Sequence, residues 1–140
     1  MRHGFAPEAM QIAALCAACV GAIAIYGLYR CNVAPIDPLR GPMVGPIDGW
    51  AMTHIVFYGA LAFAYPHVDT LALIAILGML WEAFEIAGTG TQLPRLVCRH
   101  PELIHPITGD RDTWWYGRWE DIFWNTVGMA VGVALRALVA

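Results

Sequence analysis

Five polar side chains interrupt stretches that are otherwise apolar: His54, Glu82, Glu85, Asp121 and Asn125. A charged group inside a membrane helix is expensive, so each is a functional hypothesis by default. Glu82 and Glu85 are three residues apart, and Asp121 and Asn125 are four apart, so on helices each pair shares a face. Three carboxylates and an amide oxygen around one space repel each other and call for protons or a bound cation. Hard divalent ions prefer such oxygen ligands, so Ca²⁺ is the first expectation and Mg²⁺ the next. A histidine nearby leaves Mn²⁺ or zinc open.

Each residue also has a bland explanation. Glu82 and Glu85 would mark the point where a helix leaves the bilayer, beside an interfacial Trp81. Glu120 and Asp121 would suit a helix start, where the dipole favours negative charge; for Glu120 that account suffices. His54 alone would be a hydrogen-bonded interior histidine, and Asn125 an interhelical partner. Trp114, Trp115, Trp119 and Trp124 fit an interfacial belt. What favours function is convergence from three separate helices, and that depends on the elements carrying these residues.

The 140 residues amount to one domain, with 59% hydrophobic and only 14% charged residues. A soluble domain carries about 25% charged residues, and the mean hydropathy of +0.55 points the same way. The expected fold is an all-α integral membrane protein with about four transmembrane helices in one bundle. The predicted helices cover residues 8–29, 49–65, 70–87 and 119–140, with a polar loop over 88–113. About 20 apolar residues span a bilayer core. The first run is read as a retained helix rather than a signal peptide, because only Arg2 supplies a charged start. Pro35, Pro38, Pro42 and Pro46 forbid a helix in the first loop. The short turn around His67 and Asp69 predicts an antiparallel helical hairpin. Gly128 and Gly132 form a GxxxG step, which lets another helix approach closely; a homo-oligomer is compatible with it.

Threading four helices puts His54 just inside the second, Glu82 and Glu85 in the last turns of the third, and Asp121 and Asn125 in the first turns of the fourth. All five then lie at similar depth on one side. Arg30, Arg40, Arg95, Arg99, Arg111 and Arg118 lie in or beside the first and third loops, leaving Arg2 and Arg136 opposite. By the positive-inside rule those loops, and the site, are cytoplasmic. The net charge of −3 gives no reason to expect a nucleic-acid partner. Cys16 and Cys19 share a face of the first helix and suit close packing. A Cys31–Cys98 bridge is open without sequence support.

The segments GWAMTH (Gly49–His54), WEAFE (Trp81–Glu85) and WWYGRWEDIFWNTVGMAVG (Trp114–Gly132) together resemble the membrane core of eukaryotic-type phosphatidylserine synthases. In those enzymes an acidic residue precedes the double tryptophan by two positions, as Asp112 does here, and an aspartate follows it by six, as Asp121 follows Trp115. The same order is similar to the bacterial VanZ-like membrane proteins, whose D-x-x-x-N-x-x-G helix matches Asp121 to Gly128. The synthases are longer chains with more membrane helices, and here His54 follows the GWAM stretch rather than preceding it.

The synthase resemblance implies head-group exchange on a phospholipid. Glu82, Glu85, Asp121, Asp112 and Asn125 would hold a divalent cation, Ca²⁺ before Mg²⁺ or Mn²⁺. His54 would be the general base that takes the proton from a small alcohol such as serine. Arg111 or Arg118 would hold the phosphate as a fork. The VanZ-like resemblance implies instead a membrane protein that binds an amphiphile or alters the envelope without catalysis. A structural subunit of a larger membrane complex is the third expectation.

Overall fold

The computed structural model describes residues 5–89, 91, 93–113 and 117–140. The chain is mostly helical, and three helices are long and apolar enough to cross a membrane: α1 (Phe5–Val33), α3 (Val68–Thr89) and α5 (Trp119–Val139). The fourth expected span, α2 (Gly49–Ala64), is apolar but has only 16 residues. At 1.5 Å per residue it is about 24 Å long, against a hydrocarbon core of about 30 Å. Large apolar side chains point outward along these helices, among them Ile25, Val56, Leu80, Phe84 and Leu138. A surface like that belongs in lipid.

The inner packing is thin. Ile12, Tyr58, Leu61 and Ile74 form the buried cluster where α1, α2 and α3 meet. Gly78 lets the Tyr58 ring in, since a Cβ there would lie 2.8 Å from the phenol oxygen. The closest helix pair is α2 with α5. Asn125, Gly128 and Gly132 are the buried residues of α5, and their spacing puts them on one stripe. A Cβ on Gly128 would come within 2.6 Å of the Ile55 carbonyl oxygen, and one on Gly132 would collide with the Gly59 carbonyl. The GxxxG step therefore serves contact with α2 of the same chain, and that face is closed to self-association.

The two long connections are more structured than an all-α expectation provides for. The first holds a 3-10 turn (Pro38–Arg40) and a hairpin of β1 (Pro42–Val44) with β2 (Ile47–Asp48). The second, expected as a polar loop over 88–113, holds the short α4 (Leu93–Val97) and an antiparallel pair, β3 (Glu102–Ile104) with β4 (Arg111–Thr113). The connections cross-link into a cap. Ile104 N donates to Pro35 O at 2.8 Å, Asp37 N donates to Ile104 O at 3.1 Å, and Cys31 is joined to Cys98.

Asp37 ties the cap to the helices. It is fully buried and accepts from Tyr26 Oη (2.6 Å), Trp50 Nε1 (2.9 Å) and Leu39 N (3.0 Å). Asp followed by Pro38 is a good start for a helical turn, with the cap oxygen first and a fixed φ next. Arg40, also buried, donates to Leu103 O and Asp112 Oδ2, each at 3.3 Å.

Candidate functional site

Asp48 starts α2 by accepting from Ala51 N at 2.7 Å, and His54 follows about 8 Å along the axis. The glycine stripe of α5 draws that helix against α2, so the Asn125 amide reaches the imidazole: His54 Nδ1 to Asn125 Oδ1 is 2.7 Å. With the amide oxygen toward the ring, Nδ1 is the donor, and Nε2 keeps a lone pair for a proton or a metal. On the other flank, α3 brings Glu82 Oε1 to 3.8 Å from Nδ1.

His54, Glu82 and Asp121 each offer a ligand atom, and these atoms lie within 4.8 Å of one another. Glu82 is 0% exposed, and among the described residues neither of its carboxylate oxygens has a hydrogen-bond partner. A buried charge in that state is costly unless something compensates it. Two like charges about 4 Å apart repel by about 4 kcal/mol even at an effective dielectric of 20. Two carboxylates and an imidazole fit a divalent ion, and the nitrogen donor suits Mn²⁺ or zinc better than Ca²⁺.

A cavity of about 40 Å³ opens beside this cluster, lined by His54, Glu85, Asp121, Asp48, Arg118, Trp50, Trp81 and Ile23. That is room for about one water or ion. Glu85 therefore faces the same space as Asp121. Arg118 sits in its wall, with Nη1 3.8 Å from Asp48 Oδ2. A far larger groove of about 520 Å³ continues from it between α1, α2 and α3. It shares Ile23, Trp50, His54 and Trp81 with the small cavity and is otherwise mostly apolar, with Tyr26, Thr53 and Tyr58 in its wall, running down to Cys16 and Leu77.

The expected residues thus divide. His54, Glu82, Glu85, Asp121, Asn125 and Arg118 come together. Asp112 does not line this cavity; it lies in β4, where Arg40 holds its carboxylate at 3.3 Å. Arg111 is exposed on the same strand and faces a separate cavity with Arg99 and His100. The double tryptophan, Trp114 and Trp115, lies outside the described residues. Sequence reasoning missed Asp48, Trp50 and Asp37, all of which support the site. A signal was present in Asp48, a capping residue directly before the apolar run of α2. No protein-family model, curated protein or solved structure matches the chain.

Proposed function

We propose that this protein is a membrane-embedded enzyme that exchanges the head-group alcohol of a phospholipid, with α1, α2, α3 and α5 all crossing the bilayer. The observation that carries this reading is Glu82: a fully buried carboxylate with no hydrogen-bond partner by geometry among the described residues, its Oε1 3.8 Å from His54 Nδ1 and its neighbour Asp121 within ligand distance. The groove supports a lipid substrate, because its apolar walls would take an acyl chain while the adjoining polar cavity, with room for about one ion, would hold the cation that meets the phosphate.

Glu82 and Asp121 would hold a divalent cation, with Glu85 in reach, and the cation would offset charge on the phosphate. Arg118, at the cavity wall, would fork onto a phosphate oxygen. Asn125 fixes the His54 ring through Nδ1, which leaves Nε2 to take the proton of the incoming alcohol. Serine is one such alcohol. Trp50 and Trp81 line both the polar cavity and the groove.

The test is exchange of labelled alcohols into phospholipid by the purified chain in liposomes, with Ca²⁺, Mg²⁺, Mn²⁺ or Zn²⁺ added in turn. Incorporation that depends on a cation and disappears in Glu82→Gln supports the reading. The absence of incorporation with every cation and alcohol removes it. The groove alone, far roomier than the polar cavity, favours a second reading: an amphiphile-binding protein of VanZ-like character. That reading predicts saturable lipid binding without turnover.

A further inference from the structure

The cap over the site carries an inference about the side of the membrane on which it lies. We propose that the cap built from the β1–β2 and β3–β4 hairpins, and the site beneath it, face an oxidising compartment rather than the cytosol. The inference adds sidedness to the lipid-exchange reading and relies on that reading only for its chemical consequence.

Cys31, in the last turn of α1, is fully buried and bonded to Cys98, 67 residues away. The surrounding chain holds the two together independently of the bond. His100 N donates to Cys31 O at 2.8 Å, Asn32 Nδ2 to Val97 O at 3.2 Å, and Arg99 N to Asn32 Oδ1 at 3.1 Å. Further along, Ile36 pairs with Ile104 in parallel register. The segments around 31–37 and 97–104 therefore run side by side, and the sulfurs meet as a consequence. Pairing is also selective: Cys16 and Cys19, in the apolar part of α1, are free.

Disulfides persist where the surroundings oxidise thiols, and cytosolic reductants keep such pairs open. The arginine count assigns these connections to the cytoplasm, so the two signals disagree. The covalent one weighs more, because three of the six arginines counted there have structural employment. Arg40 holds Asp112 and Leu103 O, Arg118 faces Asp48, and Arg30 lies over the Tyr26 ring at 5.8 Å. The arginine rule is a statistical bias, whereas the bond is a chemical requirement.

Orientation restricts the reaction class. A nucleotide-activated donor made in the cytosol would need its own carrier to reach such a site, whereas a finished phospholipid is already in the membrane. The transfer then draws on that phospholipid. The incoming hydroxyl oxygen forms a bond to phosphorus as the bond from phosphorus to the outgoing alcohol oxygen breaks. The proton leaving the incoming hydroxyl ends on the outgoing one. One phosphodiester replaces another, and no activated co-substrate is consumed. The supplying step is delivery of that phospholipid to the leaflet on the site's side.

The test uses the full chain in sealed, right-side-out membrane vesicles and a membrane-impermeant maleimide. Met43→Cys, in β1, and Ile107→Cys, between β3 and β4, sit on the cap at exposed positions; Leu138→Cys is exposed at the far end of α5. The expected result is full labelling of a cap variant before the vesicles are opened, and labelling of Leu138→Cys only afterwards. The wild-type chain, denatured without reductant, should show two free thiols, rising to four on reduction. Cap variants labelled only after opening, or four thiols without reductant, overturn the proposal. Lipid exchange is read separately: lost exchange with correct labelling removes the enzyme reading alone, and reversed labelling with intact exchange removes the sidedness alone.

Discussion

In the proposed exchange, Glu82 would hold charge and His54 would move a proton. Glu82→Gln keeps the shape and removes the charge, so it should abolish cation-supported exchange while leaving the folded chain at least as stable, measured by thermal unfolding in detergent. His54→Ala should lower exchange by about 100-fold or more. If His54 instead ligates the ion, Mn²⁺ or Zn²⁺ should support exchange better than Ca²⁺, and His54→Ala should reverse that order; a metal titration of both proteins reads it. Asp37→Asn tests the cap: an amide cannot accept as a carboxylate does from Tyr26, Trp50 and Leu39 together. Strained or unmet buried donors cost about 1–3 kcal/mol each, so the unfolding temperature should fall. The site residues were legible because acids and amides inside apolar runs stand out against their surroundings. Asp37 and Arg40 were not, because charges in a proline-rich connection are ordinary until the fold buries them. Asp112 shows the limit of motif spacing: its position matched, but Arg40 takes its carboxylate.

Helices α2 and α5 form the element pair that makes the site, and glycine sets their distance. Gly128→Val pushes a side chain into the Ile55 backbone and should destabilise the fold by about 1–3 kcal/mol. It should also part Asn125 from His54, so exchange should fall even in the fraction that remains folded. Gly21→Ala is the control, since a Cβ there meets nothing within 4 Å. Thermal unfolding of both variants, with exchange measured on the folded fraction, checks the pair. The long helices were readable from apolar length, and the helical hairpin from its short turn. The strands were not, because pairs two or three residues long carry no periodicity that separates them from loop. The two connections that hold them are joined to each other by contacts distant in sequence, as the hydrogen bond from Ile104 N to Pro35 O illustrates.

Over the whole molecule, the apolar helix surfaces and the covalently closed cap divide the work: lipid holds one part, and backbone pairing with a disulfide holds the other. Reducing Cys31–Cys98 should cost about 2–4 kcal/mol, since it frees a long loop in the unfolded chain; unfolding with and without reductant measures it. Composition alone pointed to long apolar helices, and three of those described are long and apolar enough to cross a membrane. Sidedness was not legible there, because the arginine count and the Cys31–Cys98 bond point to opposite sides. The brevity of α2 has a further consequence. If it spans, the bilayer on that flank must pinch inward by several ångströms, or the neighbouring helices must lean. A dimple beside His54 would bring water and lipid phosphates down to the imidazole with no gate to open. Lipids with short tails would then crowd that flank and exchange faster than long-tailed ones.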